Sequence, residues 1–147
     1  MPWSIKTTKA LNEGQYKALL ELWNKEYPSL IQMDNLSDLK EYVANLKDCK
    51  HELILDSNNQ LVAWSCSFER EELPWFAMII DRAQHGRGLG SQILNRLKQQ
   101  QSILNGWAVD VDHLQRADGS QYPSPLEFYR KNKFRISNRR PEESPLS

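Results

Sequence analysis

Apolar positions along the chain change period twice, and each change marks a new kind of element. Tyr16, Leu19, Leu20, Trp23 and Tyr27 recur at helical spacing. Asn12 and Gln15 precede them in the spacing of a capping box, so the pattern predicts an amphipathic helix that ends near Pro28. Leu36, Leu39, Val43 and Leu46 repeat the period and predict a second helix, joined to the first through residues 27–35. A short strand-like start, Trp3 to Thr7, precedes this helical hairpin.

Beyond it the period falls to two. Glu52 to Leu55 and Leu61 to Phe68 read as strands around the turn residues Asp56, Ser57, Asn58 and Asn59, which makes an antiparallel hairpin. In the second strand Val62, Trp64, Cys66 and Phe68 are expected on one face and Ala63, Ser65 and Ser67 on the other. Glu69 to Leu73 reads as a charged turn, and Trp75 to Ile80 as a third apolar strand. HGRGLGS, from His85 to Ser91, follows at once, and Leu89, Ile93, Leu94 and Leu97 continue it as a helix. A strand at Trp107 to Val111, the polar loop DHLQRADGSQYPSP, a short helix at Leu126 to Lys131 and a strand-like Phe134 to Ser137 complete the order. No internal repeat interrupts it.

Composition narrows the class. At 147 residues the chain has room for one domain, residues 1–137, with 138–147 as a tail. Nineteen basic residues balance nineteen acidic ones, so the field that gathers nucleic acid or anionic lipid around a basic protein is lacking, and neither partner is expected. MPWSIKTTK lacks the apolar core of a signal peptide, and no segment approaches the ~20 apolar residues of a membrane span, so the expected location is the cytoplasm. Cys49 and Cys66 are too few for a disulfide framework and lack the second ligand pair of a zinc site; both are expected as thiols, with no metal.

The glycine loop holds the first candidate chemistry. Gly86, Gly88 and Gly90 stand where a strand gives way to a helix, so the backbone can turn left-handed and leave its amides uncovered. With the positive end of the helix dipole, such amides make an anion site; a tight turn that binds nothing is the plain alternative. A nucleoside-triphosphate loop is excluded, because the residue after Gly90 is Ser91 and not Lys. A dinucleotide fingerprint matches Gly86, Gly88 and, about 20 residues on, Asp110. Its third glycine would fall on Ser91, and its repeated strand-helix-strand units are missing.

His85, Gly88 and Gly90 occupy the slots of Arg/Gln-x-x-Gly-x-Gly/Ala, so the loop resembles the signature of the GNAT N-acetyltransferases, with His85 in place of Arg or Gln. LEFYRKNKF, from Leu126 to Phe134, is similar to the late Phe-Tyr helix of the same family, with Lys133 where Gly is usual. The element order agrees over Ile5 to Ser137. The resemblance implies an α/β (α+β) fold with a mixed, mainly antiparallel central sheet and helices on both faces. NRRPEESPLS lacks the alternation of the family's seventh strand, which is expected to be absent, cut short or supplied by a second subunit, a homodimer being one such arrangement.

The resemblance also implies an activity: acetyl-CoA gives its acetyl group directly to the amine of a small molecule or peptide. It implies that His85, Gly86, Arg87, Gly88, Leu89, Gly90 and Ser91 cradle the CoA pyrophosphate and that the main-chain groups of Met78, Ile79 and Ile80 are the positions that hold the oxyanion. Tyr129 matches the family tyrosine near the CoA sulfur. Asp110, Asp112 and His113 after the fifth strand, and Glu69, Glu71 and Glu72 before the fourth, are the candidate bases or ammonium partners; Asp112 and His113 are expected in the catalytic set with Tyr129. Residues 26–35 and 114–124 are expected to border the acceptor. Trp23, Trp64, Trp75 and Trp107 read first as core, with an aromatic wall for a cationic acceptor as the alternative. A GNAT-like module that binds acyl-CoA or a protein without turnover is the other reading of the whole chain.

Overall fold

Asn12 opens the first helix as its spacing predicts. Its side chain accepts from the Gln15 amide at 2.8 Å, and the Gln15 side chain accepts from the Asn12 amide at 2.9 Å. Helix starts leave four N–H groups unpaired, and a capping residue that satisfies one of them contributes about 1 kcal/mol. The structure, a computed structural model, describes residues 3–108 and 114–135. In it α1 spans Glu13–Glu26 and α2 spans Leu36–Ala44, linked through a 3-10 turn at Ser29–Ile31.

Strands β1 (Ser4–Thr8), β2 (Lys47–Leu55), β3 (Leu61–Arg70) and β4 (Leu73–Ile80) form one antiparallel sheet in chain order. Strand β2 begins well before the Glu52 that the sequence pattern marks. The register shifts between Lys47 and Lys50, and Asp48 takes φ 53°, so a bulge scrambles the period-two signal there. The charged turn is also shorter than expected. Only Glu71 and Glu72, at φ 54° and 63°, separate β3 from β4, and a left-handed pair of this kind matches the twist of the strands it joins.

The two faces of the sheet bury separate clusters. Leu19, Trp23 and Leu39 from the helical hairpin pack on Trp64, Cys66 and Ile79. On the other face Ile93, Leu94 and Leu97 of α3 (Leu89–Gln100) pack on Ile54, Ala63 and Phe76. Helices therefore cover both faces. One expectation fails: Val62 joins the α3 cluster instead of siding with Trp64 and Cys66. Ile54 pairs with Ala63 while Leu55 pairs with Leu61, so Val62 is the extra residue of a bulge and strict alternation breaks at it.

Helix α4 spans Leu126–Lys131, as the sequence pattern predicts. The strand expected at Trp107 to Val111 is different: Trp107 and Ala108 are irregular, and the remainder lies outside the described residues. Its approach is visible in a parallel bridge between Asn105 and Trp75, where the Phe76 amide donates to the Asn105 carbonyl at 2.8 Å. Phe134 and Arg135 form no strand either, and the rest of that expected strand and the 138–147 tail lie outside the described residues. Phe134 packs instead between Phe76 and Tyr129, with ring centroids 5.6 Å from each.

Candidate active site

Strand β4 is the edge of the sheet among the described residues. Successive residues of a strand point their N–H and C=O groups to opposite edges. The Asp81 amide donates to Val62 of β3, and the Phe76 amide donates the other way, to Asn105. By alternation Met78 and Ile80 also direct their backbone groups to the outer edge, and Ile79 directs its own toward β3. Two side chains meet that edge: the Tyr27 hydroxyl donates to the Met78 carbonyl at 3.4 Å, and His85 Nε2 donates to the Ile80 carbonyl at 3.2 Å.

After β4 the chain makes a 3-10 turn, Arg82–Gln84, whose Ala83 amide donates to the Asp81 side chain, and then enters the glycine loop. Gly88 is the N-cap of α3 at φ 82°, and no side chain caps the helix. The amides of Leu89, Gly90 and Ser91 are thus left for an external acceptor. Gly90 serves a different purpose: a Cβ there would lie 2.7 Å from Phe128, so its absence lets α4 close against α3.

These groups line a cavity of about 720 Å³. Met78, Ile79, Ile80, His85, Gly86, Gly88, Leu89, Gly90 and Ser91 all border it, but the main chain of Ile79, expected to act with those of Met78 and Ile80, is turned toward β3. Arg87 does not. Its guanidinium donates to Gln84 at 3.0 Å and lies 5.5 Å from the centre of the Trp3 ring, which draws it away from the opening.

Three tyrosines, Tyr27, Tyr122 and Tyr129, border the same cavity. Burial pushes the Tyr27 and Tyr129 phenols far up and the Tyr122 phenol up to about 12, and the neighbouring phenols add to the shift of the first two. All three are neutral at pH 7, so each hydroxyl carries a proton it can donate. The Tyr129 ring is fixed edge-on by Phe76, Phe128 and Phe134, and its hydroxyl makes no hydrogen bond among the described residues.

The long loop after residue 113 is tied down by a buried charge cluster. Glu26, at the end of α1, is 3% exposed and lies 3.3 Å from Arg82 Nε and 3.5 Å from Arg116 Nε. Arg82 also donates to Asp118 at 2.9 Å, and the Ser29 amide donates to the Gln115 carbonyl at 2.8 Å. Hydrogen bonds from Ser120, its hydroxyl first, hold the Asp118 carboxyl well below the usual carboxylate range. In this way residues 26–35 and 114–124 meet at the mouth of the cavity, which Glu26, Tyr27, Arg116 and Tyr122 help to line.

A second cavity, about 310 Å³, adjoins the first and shares Tyr27, Met78, Tyr122, Pro125 and Tyr129 with it. Trp23, Trp75 and Trp107 are in its wall, while Trp64 is wholly buried in the core. None of Glu69, Glu71 and Glu72 borders either cavity; Glu69 pairs at 2.8 Å with Lys47 of the neighbouring β2. Asp110, Asp112 and His113 lie outside the described residues. The sequence pattern singles out none of Glu26, Arg116 and Tyr122, although all three fall in the segments expected to border the acceptor. Tyr122 had a signal, an aromatic between Gln121 and Pro123 in a polar loop, whereas Glu26 looks like any polar residue at a helix end. Elsewhere, Cys49 and Cys66 are free thiols, and no helix among the described residues is long and apolar enough to cross a membrane.

No family model matches the chain, and no curated protein matches it in sequence. Solved structures do. A glucosamine-6-phosphate N-acetyltransferase from Arabidopsis thaliana aligns over 95% of this chain and 97% of its own, with TM-score 0.59 and 14% identity. The glucosamine N-acetyltransferase region of a fungal multi-domain β-N-acetylglucosaminidase aligns over 95% of this chain and 18% of its own, with TM-score 0.63 and 13% identity. A GNAT-superfamily phosphinothricin acetyltransferase from Sinorhizobium meliloti, solved in complex with AcCoA, aligns over 68% of this chain and 60% of its own, with TM-score 0.55 and 10% identity. The chain spans 63% and 60% of the two phosphinothricin acetyltransferases it resembles. At these identities the likeness is one of fold: the chain has the GNAT fold.

Proposed function

We propose that the chain is an acetyl-CoA-dependent N-acetyltransferase that moves an acetyl group directly to a primary amine of a small molecule or peptide. One observation carries this reading: the outward edge of β4, the uncapped start of α3 and the Tyr129 phenol converge on one cavity. At about 720 Å³ that cavity is within the range of cofactor and ligand sites, roughly 300 to 1,000 Å³. The complex of a structural neighbour with AcCoA supports the same reading.

Acetyl-CoA is the acetyl donor. The amides of Leu89, Gly90 and Ser91 would accept its pyrophosphate, because a helix start offers both unpaired N–H donors and the positive end of the dipole. The Met78 and Ile80 amides, directed off the sheet edge, are suited to hold the oxyanion that forms when the amine attacks the thioester; fixed donors of this kind contribute about 3 kcal/mol. Tyr129 then hydrogen-bonds the departing thiolate. Full proton transfer from a phenol, pKa ~10, to a thiolate, ~8.5, runs uphill by about 2 kcal/mol even before burial raises the phenol. A lysine-like acceptor, pKa ~10.4, costs about 4.6 kcal/mol to deprotonate at pH 7. The apolar wall of the adjoining cavity lowers that cost, since desolvation disfavours the ammonium.

The test is thiol release from acetyl-CoA with a panel of polyamines, aminoglycosides, amino acids and peptide amines, run beside calorimetric titration with acetyl-CoA. Turnover above hydrolysis with one amine class is the expected result. Tight binding of acetyl-CoA with no turnover across the panel would leave a non-catalytic binding module, and no binding at all would remove both readings.

A further inference from the structure

The second cavity is built unlike the first. Its walls are aromatic and aliphatic, with Trp75, Phe76, Trp107 and Tyr42 among them, and Arg70 is the one charged side chain among the described residues that line it. Arg70 ends β3, and its guanidinium lies 5.7 Å from the centre of the Trp75 ring. Its carbonyl accepts from the Trp75 indole at 3.1 Å, which fixes the backbone beneath it. The guanidinium forms no salt bridge among the described residues. Its chain neighbour Glu69 points to the other face of the strand, where it binds Lys47. A cation held over an indole at the rim of an apolar cavity gains strongly from an anion brought to it, because the surrounding medium screens the pair less than water does.

The reactive end of the cavity is the part it shares with the first, at Tyr27, Met78, Tyr122 and Tyr129. Met78 is three steps along β4 from Trp75, a rise of about 10 Å along a strand. We propose that this cavity receives the body of the acceptor and that Arg70 binds an anionic group at its far end. The acceptor is then an amine with an apolar or aromatic body that carries a carboxylate or phosphate at the end remote from the nitrogen. This inference rests on the acetyltransferase reading above. It differs from the cationic acceptor that the tryptophans alone suggest, since Arg70 repels a second positive charge in the same space.

The experiment compares 4-(2-aminoethyl)benzoate, 4-(2-aminoethyl)phenyl phosphate and phenethylamine as acceptors for the wild-type protein and for Arg70→Ala and Arg70→Lys. Both anionic amines should exceed phenethylamine in kcat/KM by about tenfold or more, as a charge-assisted hydrogen bond allows. Arg70→Ala should bring the ratio to near unity, and Arg70→Lys should keep part of it. Arg70→Gln, which preserves the length of the side chain, replaces alanine if the latter melts early. A ratio near unity in the wild type, or a preference that survives Arg70→Ala, overturns the inference while leaving the acetyltransferase reading in place. If no amine is acetylated, calorimetric titration of the same three compounds into the CoA-bound protein decides the question: equal affinities overturn the anion subsite, and an anion preference lost in Arg70→Ala supports it.

Discussion

Glu26 and Arg116 are ninety residues apart in the chain, and in the fold Arg116 Nε lies 3.5 Å from the Glu26 carboxylate and 3.3 Å from the Glu26 carbonyl oxygen. Arg82 approaches the same carboxylate from the other side, so one buried acid holds the start of the glycine loop and the long loop after residue 113 against the end of α1. Removing one partner of a buried ion pair leaves an uncompensated charge. Glu26→Ala is therefore expected to destabilise the protein by about 3 to 5 kcal/mol, and Glu26→Gln by less, since the amide still accepts hydrogen bonds. Urea unfolding followed by tryptophan fluorescence measures both; loss within about 0.5 kcal/mol, the range of ordinary surface substitutions, would show that the cluster does not hold the loop.

Tyr129 has a packing role and a chemical one, and Tyr129→Phe separates them. The ring keeps its contacts with Phe76, Phe128 and Phe134, and only the hydroxyl is lost. Turnover should fall roughly ten- to a thousandfold, in the range of a lost proton-donor contribution, with acetyl-CoA affinity and Tm close to wild type. Unchanged turnover in single-turnover kinetics would remove Tyr129 from the mechanism.

Gly88 and Gly90 are expected to fail differently. Gly88 takes φ 82° with open space around it, so Gly88→Val strains the backbone that presents the α3 amides. Acetyl-CoA affinity should drop by about tenfold or more, a loss of about 1.4 kcal/mol, in calorimetry on a protein that still folds. Gly90→Ala instead meets Phe128 at 2.7 Å, and its first effect should be a lower Tm as α4 is displaced.

The two thiols form a small network on β2 and β3. Cys49 Sγ lies 3.4 Å from His51 Nε2, and the other ring nitrogen of His51 accepts from the Trp64 indole at 3.0 Å. A hydrogen bond from Cys66, assisted by His51, lowers the Cys49 thiol to about 5, while burial pushes Cys66 up. Iodoacetamide should therefore label half-exposed Cys49 at pH 6 and spare Cys66 until unfolding. A depressed folded pKa contributes stability that is complete above the unfolded thiol value, ~8.5, and is lost as pH falls toward the folded one. Cys66, raised in the fold, acts in the opposite sense only above ~8.5. Cys66→Ala should raise the Cys49 labelling pKa by removing its main cause; equal labelling of both cysteines in the native protein would contradict the arrangement.

Local rules made much of this protein legible before any fold was known. The Asn12 cap, the helical period from Tyr16 to Tyr27, the glycine loop and the Phe-Tyr helix each depend on a few neighbouring residues, and each stands where the sequence pattern puts it. Signals failed where one extra residue breaks a period: the bulges near Asp48 and Val62 hid the start of β2 and turned Val62 to the α3 face. The tertiary structure alone decided what depends on long-range contact. Glu26 acquires a role only because Arg82 and Arg116 converge on it, and Arg70 faces an aromatic cavity only because β4 brings Trp75 beneath it. Burial, pairing and cavity shape arise from residues far apart in the chain, and a reading confined to local periods carries no information about which of them will meet.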